Sequence, residues 1–387
     1  MTGTSFDAAV VGGGLLGTAT AYHLVSAGAR TVLVDRADSG RATDAGAGIL
    51  SPETNSRDPE AWSRLAVAAV QYYPRLIERL AGEQAGDTGY ARCGKLVVAV
   101  SDDEIGPFAS ARRIIFERQR ARGWPTPADL CEATAAEARE LFPPLAPVRG
   151  AIYSRLAARV DGRLLNRALR TAAEARGLHT REGSVERLVI EVDAVRGLVV
   201  DGERVLAGAV AIAGGAWSEA FGAQLGVSIP VTPQRGQIIH LGLHGTDTSR
   251  WPMVSAFHQH YLVPWGDSRV VAGATRETGS GFTPHTTTAG VREVLGEALR
   301  VAPGLAHAEV REIRVGLRPL TPDALPILGP VPGIPGIFLV TGHGPTGLTL
   351  GAYSGKVVAD LMLGKSPETD LSPFSVARFS SAGQQPR

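Results

Sequence analysis

The triplet Gly12-x-Gly14-x-x-Gly17, set between an apolar run and an Ala/Leu-rich stretch, constrains this 387-residue chain more than any other feature. Residues 7–11 read as a short buried strand, residues 15–27 as a helix that Gly28 stops, and the β-branched run 30–35 as a second strand. That order is a βαβ unit. In such a unit the first glycine makes the turn, the second admits a pyrophosphate to the backbone, and the third lets helix and strand approach. The helix opening at Leu15 offers free N–H groups and a positive dipole end to the phosphates. Asp35 closes the next strand about 20 residues on, where a ribose-binding carboxylate is wanted. A lone triplet is as well explained by a packing turn; strand, helix and acid together point to a dinucleotide. They do not separate a flavin from a nicotinamide, because both share the ADP half.

Composition removes other classes. Lys+Arg number 39 against 38 Asp+Glu, a formal net charge of +1, so there is no electrostatic footprint for nucleic acid and no like-charge run for an anionic membrane surface. Hydrophobic residues at 44% and charged residues at 20% are globular values, and the length allows two packed domains. Cys93 and Cys131 show no CxxC spacing, which argues against a zinc site, a disulfide framework or a disulfide reductase and fits a reducing cytoplasm. The apolar stretch 8–29 lacks a preceding basic residue and is crowded by glycines at its start, which suits neither a signal peptide nor a membrane span.

Along the chain, Asp58 is the expected N-cap of a second helix, with Pro59 at its first position, running to about Leu80 with a disturbance at Pro74. Residues 94–100 read as a strand, 107–122 and 133–141 as helical segments bracketed by prolines, and 161–177 as a further helix. Strands alternate over 185–200 and reach the apolar run 209–213. Residues 237–274, rich in Ile, Val, His and aromatics, suggest an antiparallel sheet. A helix runs from about Thr288 to Pro303, and 337–341 is a strand, 342–347 a turn and 348–363 a helix. That last turn presents a second helix N-terminus suited to a negative ligand group, although an ordinary strand–turn–helix connection would look the same. His258 and His260 stand two apart on an expected strand, hence on one face, with no third metal ligand apparent, and no metal is expected. Arg112, Arg113, Arg118, Arg120 and Arg122 read as a solvated helix face. Residues after Phe379 have a disordered composition.

Taken in order, these motifs resemble one family. The N-terminal fingerprint, Ala47-Gly48-Ile49-Leu50, Ala213-Gly214-Gly215-Ala216-Trp217, Arg235-Gly236-Gln237, Tyr261-Leu262-Val263-Pro264, Gly273-Ala274-Thr275, Gly316-Leu317-Arg318-Pro319 with Thr321-Pro322-Asp323, and Gly342-His343-Gly344 follow the pattern of the D-amino acid oxidase/glycine oxidase flavoproteins. The likeness spans about residues 7–364.

The resemblance implies an α/β (α+β overall) architecture: a discontinuous Rossmann-like FAD-binding domain (1–85, 145–220, 308–375), a smaller domain on an antiparallel sheet (86–144, 221–307), and a flexible tail (376–387). It implies non-covalent FAD held by Gly12, Gly14, Leu15, Gly17, Asp35, Arg36, Gly48, Ile49, Val185, Gly214, Trp217, Gly316, Arg318, Gly344, Thr346, Gly347, Leu348 and Thr349. Arg318 would grip a substrate carboxylate, a task for which a guanidinium fork is suited, unless it serves an interface salt bridge. Tyr261 would line the substrate site, unless it is a core tyrosine, and His343 would act beside the flavin through charge or a hydrogen bond. Relatives can place a second Arg in the turn that here reads Gly344-Pro345-Thr346; Pro345 cannot do this, so a second carboxylate anchor is missing or comes from elsewhere. The expected reaction is hydride transfer from a small carboxylate-bearing amine to flavin N5, giving an imine that hydrolyses to a keto acid, with O2 or another acceptor reoxidising the flavin. The rivals are a secondary-amine enzyme of sarcosine or proline type, a nicotinamide-dependent dehydrogenase and a non-catalytic nucleotide-binding module. Homo-oligomerisation is left open.

Overall fold

A computed structural model describes residues 5–57, 59–192 and 194–382. The expected cap Asp58 lies outside the described residues. The βαβ unit is formed by the strand Ser5–Val11, the helix Leu15–Ser26 and the strand Thr31–Asp35. The two strands pair in parallel, Ala8 opposite Thr31 and Val11 opposite Val34. They belong to an eight-stranded sheet. Glu203–Ile212 flanks Ser5–Val11 on its other side, Ile337–Thr341 runs parallel to the last residues of Glu203–Ile212, and His179–Glu182 runs parallel to Thr31–Asp35. Five strands therefore point one way, and their carboxyl ends gather along one edge, where open α/β sheets bind ligands.

Both faces of this sheet are covered, which is why its strands read as continuous apolar runs rather than as alternation. Ala8, Val10 and Leu33 face a cluster with Leu15, Tyr22, Leu165, Leu169 and Leu350, whereas Ala9, Val11, Val32 and Val34 face Leu198, Ile212, Ile229 and Ile327. The helix Leu15–Ser26 packs closely on the helix Gly347–Met362. A Cβ added at Gly355 would lie 2.7 Å from that of Ala19, so a larger residue there would push the two helices apart.

The second sheet has nine strands, antiparallel except where Met253–Ser255 meets Lys95–Ala99. At its middle Thr232–Gly242 pairs with Arg269–Gly273 and, along its whole length, with Glu309–Leu320. This moves two sequence boundaries. Gly150–Ser154 and Glu309–Leu320, assigned above to the FAD-binding segments, are strands of the antiparallel sheet, because ladder pairing with distant strands outweighs their nearness in sequence to the parallel ones.

Three local expectations also change. The second helix spans Glu60–Gly82 with Pro59 at the cap position, and it continues unbroken through Pro74, with Tyr73, Leu76 and Leu80 on either side of it in the core. His258 and His260 lie in a turn between Met253–Ser255 and Tyr261–Trp265, not in a strand. His258 bonds acids on other elements, Asp103 and Glu297 at 2.9 and 3.1 Å, while His260 Nε2 stands 3.2 Å from Glu293 without a hydrogen bond to it. The expected flexible tail begins too early, since Val376–Ala382 forms a 3-10 segment. Val376 is buried in the core, and Arg378 forks onto Asp323 at 2.7 and 3.2 Å.

Candidate active site

A cavity with an empty volume of about 1790 Å³, part of it open to solvent, runs between the carboxyl ends of the parallel strands and one face of the antiparallel sheet. Its first end is built by the glycine turn. Gly12 adopts φ +104, where a side chain would be strained, and a Cβ there would meet the Ala213 carbonyl oxygen at 2.5 Å. The first intrahelical bond is Thr18 N–H to Gly14 O at 2.9 Å, so the preceding amides have no helical acceptor. Thr43 Oγ1 accepts from one of them, Leu15 N–H, at 3.0 Å, and the cap Gly14 supplies no side chain. The amide of Leu16, which lines the cavity, is left for a ligand phosphate. Asp35 is held by Arg41 Nη2 at 2.6 Å and faces Arg170 Nη2 at 4.0 Å, while Arg36 lies 5.9 Å over the Trp217 ring.

The second end is the start of the helix Gly347–Met362. Its cap, Thr346, makes no side-chain bond to the helix, and Gly347, Leu348 and Thr349 line the cavity. Here too a helix dipole and unsatisfied amides favour negative charge. Thr349 Oγ1 donates to Ile49 O at 2.9 Å, and Tyr73 donates its hydroxyl to Leu348 O.

The wall facing this end belongs to the antiparallel sheet. Gln234 is opposite Arg318, Ile238 is opposite Gly273, and Gly273 is opposite Tyr261. Paired residues share a face and residues two apart return to it, so Arg318 and Tyr261 point the same way. Each lies across a glycine. A Cβ on Gly236 would stand 2.3 Å from Arg318 Nη2, and one on Gly273 would stand 2.7 Å from Tyr261 Oη. Arg318 Nη1 donates to Thr275 O at 2.8 Å and to Gln234 Oε1 at 3.3 Å. Burial lowers the Arg318 pKa, opposed by Tyr261 and Glu277, and burial raises that of Tyr261, opposed by Arg318 and Arg276. The guanidinium is thus a desolvated cation, a state that a carboxylate would relieve.

Of the residues expected from sequence, Gly12, Gly14, Leu15, Asp35, Arg36, Gly48, Ile49, Val185, Gly214, Trp217, Tyr261, Gly316, Arg318, His343, Gly344, Gly347, Leu348 and Thr349 line the cavity. Two expected cofactor contacts do not. Gly17 turns inward, where a Cβ would be 1.9 Å from Gly12 O, so its place is in helix–strand packing. Thr346 uses its hydroxyl to donate to His343 O at 2.9 Å and to accept from Trp62 Nε1 at 3.3 Å. Of the two options for His343, the charged one is closed: burial pushes its pKa down to about 3, and Nε2 bonds Ser354 Oγ at 3.0 Å. Sequence reasoning missed Arg41, Thr43 and Arg276. Arg276 directly follows the Gly273-Ala274-Thr275 motif, which was the available signal, and it sits exposed at the cavity mouth.

The two uncapped helix ends, the glycine turn and Asp35 fit a flavin dinucleotide, and no cysteine lines the cavity to which one could be bonded. No helix among the described residues is long and apolar enough to cross a membrane.

Comparison with known proteins agrees with this geometry. The family model described as FAD dependent oxidoreductase matches residues 7–361. An oxidoreductase of Bacillus subtilis (strain 168), YurR, is 39% identical, over 95% of this chain and 98% of its own length. Glycine oxidase of Pseudomonas aeruginosa (strain PAO1) is 32% identical, with 95% and 98% covered. The crystal structure of iminodiacetate oxidase from Chelativorans sp. BNC1 superposes with a TM-score of 0.89 at 38% identity, covering 95% of this chain and 98% of that one.

Proposed function

The chain belongs to the FAD-dependent oxidoreductase family, and we propose that within it the chain oxidises the carbon–nitrogen bond of a small amine that carries a carboxylate. The observation that carries this reading is the placement of Arg318 and Tyr261 on one sheet face, inside the cavity that the uncapped end at Gly347 also lines. The relatives support it: the substrates that give glycine oxidase and iminodiacetate oxidase their names are both carboxylate-bearing amines.

Bound non-covalently, FAD would supply the hydride acceptor, and the Leu16 amide, Asp35 and the helix start at Gly347 would hold it. Arg318 holds the substrate carboxylate bidentately and so fixes which carbon–hydrogen bond faces the acceptor. Its own aim is set by Thr275 O and Gln234 Oε1. Tyr261 adds a phenol to the same grip. The helix dipole at Gly347 stabilises negative charge that develops as hydride leaves the substrate. His343 stays neutral and braces the turn through Ser354. No side chain is assigned as base: the amine enters unprotonated, and the imine product hydrolyses to the keto acid in solution.

A secondary amine is a second form of the same reading, favoured by the iminodiacetate oxidase relationship, since iminodiacetate is an N-substituted glycine. Reoxidation by O2 or by another acceptor, and residence in the cytoplasm, complete the proposal. The test is an anaerobic visible spectrum of the purified holoenzyme before and after adding glycine, D-amino acids, sarcosine, proline and iminodiacetate. Bleaching of the flavin bands by one of these supports the reading and identifies the amine class; a flavin reduced by dithionite but by none of the amines overturns it.

A further inference from the structure

We propose that Trp62 is a positioning residue for the cofactor: by taking one lone pair of the Thr346 hydroxyl it keeps that oxygen from capping the helix Gly347–Met362, and so leaves the helix start open to negative charge on the flavin ring. This deepens, and rests on, the reading above that sets the flavin against Gly347.

Trp62 stands in the first turn of the helix Glu60–Gly82, 284 residues before Thr346, and its side chain is buried. A buried indole N–H needs an acceptor, and Trp62 Nε1 donates to Thr346 Oγ1 at 3.3 Å. A hydroxyl has one hydrogen and two lone pairs. The hydrogen goes to His343 O at 2.9 Å, where Thr346 N–H also donates at 3.0 Å. A threonine at a helix start ordinarily turns its oxygen onto the amide two or three residues on, here that of Leu348 or Thr349. That bond is not made.

The bonds to Trp62 and His343 aim the oxygen back across the 3-10 turn Gly344–Thr346 and away from the helix amides. Gly347, Leu348 and Thr349 line the cavity, so an amide that Thr346 capped would be withdrawn from a ligand there. Without the indole N–H, a lone pair is released and the hydroxyl can make the ordinary cap bond in competition with the cofactor. The helix Glu60–Gly82 makes a second hold on the same helix start. Tyr73, about three turns beyond Trp62, donates its hydroxyl to Leu348 O. Both donors are buried, and in that low-dielectric setting each bond is stronger than it would be in water.

Sulfite reports this property without any amine. Its sulfur lone pair forms a bond to flavin N5, and the electron pair it brings places negative charge at N1 and C2=O. The dissociation constant, read on the holoenzyme from bleaching of the flavin bands, is expected to rise about ten-fold in Trp62→Phe. The matching loss of hold on reduced relative to oxidised flavin lowers the two-electron potential by about 30 mV. In Thr346→Val, which has no hydroxyl to turn onto the helix, adding Trp62→Phe should leave sulfite binding where it stands. An equal loss in both backgrounds would make Trp62 a packing residue only, and no loss in either would remove it from the cofactor site; each overturns the assignment. If Trp62→Phe purifies without flavin, benzothienylalanine at position 62 replaces only the N–H by sulfur and carries the same expectation. A Trp62 effect on sulfite in an enzyme that oxidises none of the amines would uphold the positioning role and remove the reaction class. Amine oxidation with sulfite binding unmoved by Trp62→Phe would do the reverse.

Discussion

Arg318 and Arg276 are joined through a single peptide unit: the carbonyl oxygen that accepts from Arg318 Nη1 at 2.8 Å belongs to Thr275, whose carbonyl carbon is bonded to the Arg276 nitrogen. One guanidinium points into the cavity and the other guards its mouth, and a shift of this short segment would move both. The placement of both guanidiniums therefore depends on backbone position as much as on side-chain identity.

Replacing the inner anchor removes the fork while keeping the charge. Arg318→Lys is expected to lower kcat/KM for the best amine about 100-fold, because a lysine ammonium cannot reproduce bidentate binding or reach Thr275 O and the ligand together. Steady-state kinetics alongside the flavin-to-protein absorbance ratio checks this. A variant that keeps its flavin and its kcat/KM would show that Arg318 is a structural arginine.

At the adenosine end, Asp35→Ala leaves Arg41 without its 2.6 Å partner and removes the carboxylate available to a ribose. Flavin affinity measured by equilibrium dialysis is expected to fall about ten-fold. Unaltered affinity would place the ribose elsewhere.

The third glycine of the fingerprint tests packing rather than contact. Gly17→Ala would put a methyl 1.9 Å from the Gly12 carbonyl oxygen, and backbone cannot step aside cheaply. The variant is expected to purify with little flavin and a melting temperature lower by several degrees, since about 1 kcal/mol shifts a large domain by about 2–4 °C. Gly106→Ala, where an added Cβ meets nothing within 4 Å in the helix Ile105–Arg122, is the control and should match or exceed wild-type stability.

Stability should decline on mild acidification. Burial pushes His343 down to about 3, and burial with Arg314 and Arg269 nearby pushes His240 down to about 4. Each has a folded pKa below the unfolded value of about 6.5, so the unfolded chain binds the extra proton first. The stability these histidines contribute is intact above pH 6.5 and is lost as pH falls toward 4 and 3, at up to about 1.4 kcal/mol per pH unit for each. His258 is shifted upward by Asp103 and Glu297 and acts in the opposite sense, losing its contribution as pH rises through its folded pKa. Melting temperatures between pH 6.5 and 5 isolate the histidines, because most carboxylates titrate lower. His240→Asn should flatten the slope in that window; an unchanged slope would remove His240 from the account.

The candidate site was legible where its signal is contiguous. Gly12, Gly14 and Asp35 stand out because strand, turn, helix and strand follow without interruption, and the run from Ile337 through Gly347 repeats that logic. His258 and His260 were misplaced because the β-rich composition around them masks a turn, whose Gln259 adopts φ +68. Thr346 falls outside the cavity lining, its hydroxyl turned to His343 O and to Trp62 on another helix, an orientation that position at a helix start does not foretell.

By itself, then, the sequence determined the βαβ unit, the helix start near Gly347 and, through family resemblance, the arginine of the Gly316-Leu317-Arg318-Pro319 motif, because local order and short-range chemistry settle each of them. Only the tertiary structure decided that Arg276 joins Arg318. The two are set by the ladder that runs from Glu309–Leu320 through Thr232–Gly242 to Arg269–Gly273 and Tyr261–Trp265, segments far apart along the chain. Which side chains reach the cavity depends on their register, and a slip of one residue would turn the whole set to the opposite face.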